Sequence, residues 1–426
     1  MNTTLIFSIV PKLLPAFMLA IVALIGLLLQ KKPFGDVIRG TVKTLVGVVI
    51  LLLSVDILSA VISPIATLFS KIYSVESTVQ IADWGAFLGK FGVEIVLVMV
   101  LGFFVNLVLA RVTKLKYVFL TGHILFWYAF TMVGALADGG KITGVPLIII
   151  GGILLGVFVT VMPALTAPVV KKLIGSDDFI IGHSTNFLSW ISALVGKWLG
   201  DPSKSMEDIE LPKGWEWIKE MVISTSLIMF LLYLVFGFIA GLTWAAEQFT
   251  GGTVWLWFLW IIFQGVQFGA GLVMLLTGVR MMLGEIVPAF HGIALKIVPN
   301  GVPALDCPMI FPYGTTSLTI GFLIAMIAQL ITLVVFGLVG YQFVLVPMVV
   351  AAFFDAGPGA ILANKTGGRR GVVLAMIVSG IVMVCLQAFG MIFVQNTAAG
   401  FVQAFGGNDV GLMSIIFGGI SRLLGF

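Results

Sequence analysis

Charged side chains are scarce in this sequence. Asp, Glu, Lys and Arg together make up 10% of its 426 residues, where soluble domains carry roughly 25%. No hydrophilic stretch is long enough for a soluble catalytic domain. Cysteine is nearly absent: Cys307 and Cys385 both lie in apolar surroundings, which gives neither a disulfide framework nor a cysteine metal site. Only three histidines occur, His123, His183 and His291, and along the chain they show no close metal-ligand pairing. Glu285 and His291 lack the His-Glu-x-x-His spacing of a metalloprotease. No Gly-Lys-Ser/Thr phosphate loop is present either, which argues against an ATP-driven pump. The amino terminus has no cleavable-signal pattern, because Lys12 interrupts its apolar run and no small-residue cleavage site follows.

What is abundant is apolar. Hydrophobic residues reach 60%, and apolar stretches of about 20 residues, each able to cross a hydrocarbon core, recur along the whole length. The expected fold is an all-α polytopic membrane protein with about 10–11 transmembrane helices plus re-entrant or broken segments. Early spans fall near residues 13–29, 45–62 and 93–110. The second is expected to stop at Pro64. A fourth contains Thr121-Gly122-His123 and ends near Asp138, and a fifth covers about 145–170. Basic residues at Lys31–Lys43, Arg111–Lys116 and Lys171–Lys172 fall in alternate loops. The positive-inside rule is thus satisfied three times, with the amino terminus outside.

Residues 181–200 are too polar and too short for a span and read as a re-entrant or surface-lying helix. Residues 201–220 form the most hydrophilic loop, with Trp215 and Trp217 suited to the membrane interface. Further spans are expected near 221–245, 254–279, 318–341 and 372–394, with a shorter apolar piece at 343–354 and a final segment at 412–426. A loop carrying Lys365, Arg369 and Arg370 is expected before the 372–394 span.

One stretch stands out. Gly301–Pro312 reads GVPALDCPMIFP and sets a single carboxylate, Asp306, in an apolar run broken by Pro303, Pro308 and Pro312. Proline removes a backbone donor, so no straight membrane helix passes here. Broken backbone at membrane depth survives only where it is buried in protein or lines a wet cavity. An ionisable side chain there marks a solute or ion path; the alternative is an interfacial loop whose Asp faces water.

The chain also resembles itself. Residues 50–58 (ILLLSVDIL) align with 274–282 (MLLTGVRMM), and the same offset pairs Gly47 with Gly271 and Pro64 with Pro288. Asp56 and Arg280 occupy matching positions, and a one-residue gap brings Ala82-Asp83 onto Leu305-Asp306. Inverted repeats at about 40–200 and 221–426 are expected, within a single domain covering 1–426. Under that arrangement Asp83 and Asp306 meet near the centre, and a transporter is the leading class.

Two histidines follow glycine, in Gly122-His123 and Gly182-His183. Glycine lets backbone approach closely, and imidazole donates and accepts hydrogen bonds at once. These properties suit a site for a polyhydroxylated solute; core histidines bonded to carbonyls are the alternative. Ser184, Thr185, Asn186, Ser189 and Trp190 make a polar cluster beside His183, with Trp190 or Trp84 offering an apolar face.

At these residues the sequence resembles the ascorbate-specific permease family of the bacterial phosphotransferase system, its enzyme IIC component. The matching blocks are TGHILF at 121–126, IGHSTNFLSWI at 181–191 and MEDIELPKGW at 206–215. GVRMMLGEIVPAFHGI at 278–293, VPNGVPALDC at 298–307 and NKTGGRRG at 364–371 complete the set. The resemblance implies a homodimer in the bacterial cytoplasmic membrane, each protomer having a scaffold subdomain and a mobile core that moves as an elevator. It also implies that a separate cytoplasmic IIB protein, itself charged by a IIA protein, phosphorylates the solute. This chain would then carry no phosphoryl group, no cofactor and no metal.

Carried over by residue, the resemblance implies that His123, His183 and Asp306 bind the solute and that Asp83-Trp84 forms a further binding stretch. The family pattern has glutamine four residues after the first histidine and directly after the second. Here those positions are Trp127 and Ser184, and Trp84 replaces a small hydroxyl residue. Exchanging two amides for an indole and a short hydroxyl changes the shape and polarity of the site. The expected solute is therefore L-ascorbate or a related sugar-like acid or polyol. Asp83, Trp84, His123, Trp127, His183, Ser184 and Asp306 are the expected binding residues. Two other classes compete: an ion-coupled secondary transporter using Asp83 and Asp306, and a membrane-embedded enzyme using His123, His183 and Asp306 as acid–base groups.

Overall fold

A computed structural model describes residues 16–425 except 18–19, 22, 29, 74–83, 210–213, 215–216 and 218–219; within helices, the side chains at 84–86 and 282–296 are among those outside the description. The first expected span and Asp83 therefore lie partly or wholly outside the described residues. The rest is overwhelmingly helical. Seven helices are long and apolar enough to cross a membrane among the described residues. The protein is a multi-pass, all-α membrane protein.

Two helices far exceed a membrane crossing. Helix α1 (Phe34–Tyr73) has 40 residues, about 60 Å at 1.5 Å per residue. It does not stop at Pro64, which lies inside it. A proline deletes one intrahelical bond, whereas ending the helix in an apolar medium would strand several backbone groups, so continuing is the smaller loss. Helix α2 (Trp84–Val112) follows. Strand β1 (Tyr117–Phe119) leads into α3 (Gly122–Ala137), which is too short to span a bilayer. Helix α4 (Gly144–Ile174), strand β2 (Ile180–Ile181) and a second short helix, α5 (Asn186–Leu199), complete this half.

Helices α6 (Met221–Ala240), α7 (Leu242–Thr250) and the 44-residue α8 (Val254–Ile297) come next. Strand β3 (Val302–Leu305) and a 3-10 turn (Cys307–Tyr313) precede α9 (Thr315–Leu338). The break expected at Gly301–Pro312 is thus a strand followed by a tight turn. A helical turn at Val349–Ala351 and a π-turn at Ala352–Ala356 then open α10 (Gly357–Ile392). The expected basic loop before the 372–394 span is reduced to a sharp break at Gly368 between two helical pieces. Lys365, Arg369 and Arg370 belong to α10, which is kinked at Gly368 (φ 56°, ψ −155°). That positive φ suits glycine, and Gly368 packs directly on the carbonyls of Asp201 and Lys204. Helices α11 (Ala399–Phe405) and α12 (Asp409–Leu423) close the chain.

The helices pack as two groups. Helices α1, α6, α7 and α8 pack on one another, while α2 to α5 and α9 to α12 form the other group. In lipid the hydrophobic effect does not drive helices together, so close backbone approach has to supply the attraction. Gly152 and Gly156 of α4 serve this purpose, sitting against Leu101 and Val105 of α2. The second group contains four helical pieces with buried starts: α3, α5, α10 up to Gly367, and α12. Helix α3 packs with α12 and α5 with α10.

A small parallel sheet, unforeseen in the sequence, joins the broken segments in the order β1-β3-β2. Tyr117, Val118 and Phe119 pair with Val302, Pro303 and Ala304. Ile180 and Ile181 pair with Ala304 and Leu305. Three segments that leave helical geometry at depth must satisfy their backbone groups, and they do so by pairing with each other. Pro303 fits the middle strand because β2 begins pairing only at Ala304, so the missing N–H breaks no ladder bond on that side.

Candidate functional site

The sheet explains how three residues separated by 60 to 183 positions of chain become neighbours. Parallel strands end at the same edge, and each is followed by a chemically distinct residue. Asp306 follows the middle strand, His123 follows β1 across a short turn, and His183 follows β2. Asp306 is therefore flanked by both imidazoles. His123 Nε2 lies 3.7 Å from Asp306 Oδ2, and His183 Nε2 lies 3.5 Å from Asp306 Oδ1. Gly182 makes this approach possible: a Cβ there would sit 2.5 Å from the Ala304 carbonyl oxygen. Asp306 also caps the following 3-10 turn, accepting the Cys307 N–H at 2.8 Å.

A second set of polar groups reaches the same place from the other half of the chain. Asp355, in the π-turn, accepts the Ser184 hydroxyl at 2.6 Å and the Asn408 amide at 2.7 Å. Its Oδ1 stands 3.3 Å from His183 Nδ1. Single π-turns inside helices recur at functional sites. Asp409, fully buried at the start of α12, accepts the backbone N–H groups of Asn186 and Phe187 at 3.2 and 2.8 Å. It thereby caps α5, whose first N–H groups have no intrahelical partner. The Tyr128 hydroxyl lies 3.0 Å from Asp409 and 3.2 Å from the His183 carbonyl. Two carboxylates thus hold the helix starts and the histidine loop in one fixed arrangement.

These groups border a cavity of about 100 Å³. Its polar side consists of His123, His183, Ser184, Asp306, Asp355 and Asn408, and Leu275, Val350, Phe354, Phe401 and Phe405 give apolar walls. Trp127 also lines it, stacked on Phe401 with ring centroids 4.7 Å apart and planes at 20°. No Lys or Arg is among the lining residues described. Asp306 and His183 are buried and His123 is 9% exposed. A few convergent polar groups in an apolar, concave setting are what a small-solute site requires.

Of the expected residues, His123, Trp127, His183, Ser184 and Asp306 come together at this cavity. Asp83 lies outside the described residues; Trp84 opens α2, but its side chain is not among those described. The histidines that showed no ligand pairing along the chain do meet in space. One ligand atom from each of His123, His183 and Asp306 lies within 4.8 Å of the others. Asp355, Asn408, Asp409 and Tyr128 were not expected. Asp355 carried a readable signal, being an ionisable residue ending an apolar run; the others gain their meaning from partners 53 to 281 positions away in the chain.

Residues 9–409 match the protein family described as the PTS (phosphotransferase) system sugar-specific permease component. The chain is also 26% identical, over 438 aligned positions, to the ascorbate-specific PTS system EIIC component of Mycoplasma pneumoniae. That alignment covers 90% of this chain but 66% of the relative's length.

Proposed function

Since the chain belongs to the family of PTS system sugar-specific permease components, we propose that it takes up L-ascorbate or a closely related sugar-like solute across the cytoplasmic membrane. A separate IIB protein, charged by IIA, phosphorylates the solute as it arrives. The observation that carries this function is the placement of Asp306 between His123 and His183 at the edge of the cavity. Imidazoles and a carboxylate at these separations bind hydroxyl groups, accepting and donating in turn. Trp127 offers an aromatic face to the apolar side of a sugar-like ring.

This chain binds and moves the solute and leaves phosphoryl chemistry to its partner. Cys307 is buried behind Asp306 and offers no accessible nucleophile. Trapping the product as a phosphate removes any need for an ion gradient. Transport proceeds by movement of the α2–α5 and α9–α12 group against the α1, α6–α8 group. The two halves, about 40–200 and 221–426, are inverted repeats, and the cross-pairing of α3 with α12 and of α5 with α10 supports this. Two copies associate through the α1, α6–α8 scaffold. Lys171, Lys172, Lys204, Lys365 and Arg369 mark the cytoplasmic ends of their helices and loops, with the amino terminus outside.

The test uses vesicles holding the purified protein, radiolabelled ascorbate or polyols, and phosphoenolpyruvate with or without the phosphotransfer partners. Phosphorylated solute appearing only with phosphorylated IIB is the expected outcome. Free solute accumulating only with an ion gradient would overturn it in favour of ion-coupled transport.

A further inference from the structure

We propose that His123, His183 and Asp306 also form a binding site for a divalent transition-metal ion of the zinc class, which occupies the solute's place in the cavity. Two imidazole nitrogens and a carboxylate with open positions are a donor set that Zn²⁺ and its neighbours favour. Mg²⁺ and Ca²⁺ are hard cations that take oxygen ligands, whereas two of the three donors here are imidazole nitrogens.

The spacing fits. Donors bound at about 2.0–2.1 Å and disposed tetrahedrally stand roughly 3.4 Å apart; Asp306 faces His183 Nε2 through Oδ1 at 3.5 Å and His123 Nε2 through Oδ2 at 3.7 Å, so either oxygen begins close to that spacing from one imidazole. All three donors fall within 4.8 Å of one another, so one imidazole has to move slightly inward. His123 is free to do so, because its Nδ1 is buried without a protein hydrogen-bond partner.

His183 is held as metal-bound histidines are held. Its Nδ1 faces Asp355 Oδ1 at 3.3 Å, with Ser184 Oγ at 3.1 Å. A ring N–H directed at a carboxylate leaves the other nitrogen, Nε2, as a lone pair aimed into the site, and such backing carboxylates raise ligand basicity. With Nδ1 protonated in this way, that lone pair points at the Asp306 carboxylate. No lysine or arginine among the described lining residues stands between them, and a cation there converts the facing acceptors into ligands. The remaining coordination position opens on the cavity, where water or a solute hydroxyl completes the shell.

The binding itself stands on this geometry; its effect on uptake rests on the function proposed above. Tag-free protein purified with EDTA, then freed of it, is titrated with Co²⁺ as a spectroscopic stand-in for Zn²⁺. We expect visible d–d bands saturating at one ion per chain and reversed by Zn²⁺. The bands disappear in His183→Ala and in the nearly isosteric Asp306→Asn, and they persist in His291→Ala. Asp355→Asn weakens affinity about tenfold or more. Absent bands, or bands unchanged in Asp306→Asn and His183→Ala, overturn the site.

In the vesicle assay, Zn²⁺ raises the KM for solute and leaves kcat unchanged. Uptake that saturating Zn²⁺ does not affect overturns the shared occupancy. Co²⁺ bands in a protein that transports no phosphorylated solute support the metal site and strike at the permease function instead.

Discussion

The two helix groups are built on different physics. Around α6 to α8 the interior is filled by aromatic and aliphatic surface: Trp257, Tyr233 and Phe268 are fully buried. Trp260 stacks on Phe249 and Trp257 at 5.0 and 5.3 Å. Among its described polar contacts, the Tyr233 hydroxyl donates to the Val61 carbonyl. Around α3, α5, α10 and α12, buried carboxylates are satisfied by hydroxyls, amides and backbone N–H groups drawn from both halves of the chain. Dispersion contacts depend weakly on exact partners, so the first group tolerates substitution. Hydrogen bonds in a low-dielectric interior depend on every member, so the second group holds one geometry. A binding site needs the latter property.

The comparison breaks most sharply at Asp409. Asp409→Ala leaves the backbone N–H groups of Asn186 and Phe187 without their acceptor and the Tyr128 hydroxyl with the His183 carbonyl alone. At roughly 1–3 kcal/mol per orphaned buried group, the two N–H groups together cost about 2 kcal/mol or more. Thermal unfolding of detergent-purified protein measures it as a large drop in Tm.

Asp306→Asn separates binding from stability within the same group. Asparagine caps a turn as well as aspartate does, so the Cys307 N–H stays bonded and Tm changes little. Solute binding nevertheless loses about 1.5–3 kcal/mol, the worth of hydrogen bonds to a charged group, or roughly 10- to 150-fold in Kd by calorimetry.

Trp127→Gln sharpens the comparison on specificity. It removes the ring stacked on Phe401 and supplies an amide facing the cavity. The ratio of kcat/KM for ascorbate over neutral polyols should rise about tenfold, equivalent to one well-placed hydrogen bond. An unchanged ratio would remove Trp127 from the solute contact.

The smallest effect belongs to the α1, α6–α8 group. Ile261, fully buried in α8, changed to Val should cost about 0.5–1.5 kcal/mol and leave uptake per folded molecule unchanged. A transport defect without a stability defect there would contradict the division of labour.

Legibility in the sequence followed the same divide. The apolar runs of α2, α4 and α9 were readable because a helix alone satisfies its backbone at membrane depth. Asp306, His123 and His183 were readable as polar residues set in apolar context. The sheet was not, since strands of three, two and four residues are too short for any periodic signal. Residues 365–370 read as a loop from their basic character, yet the helix needs only Gly368 to turn through its kink. Pro64 read as a terminus where it removes only one bond.

Composition and hydropathy by themselves determined that this chain lives in a membrane as a bundle of helices, because the bilayer admits few other solutions. The short blocks around His123, His183 and Asp306 were enough to indicate a permease. Only the tertiary structure decided that these three residues share one strand edge and that Asp355 and Asp409 hold the segment around His183 from the opposite half. Such contacts join residues up to 281 positions apart, and no local pattern encodes a hydrogen bond between segments that meet only after the chain has folded.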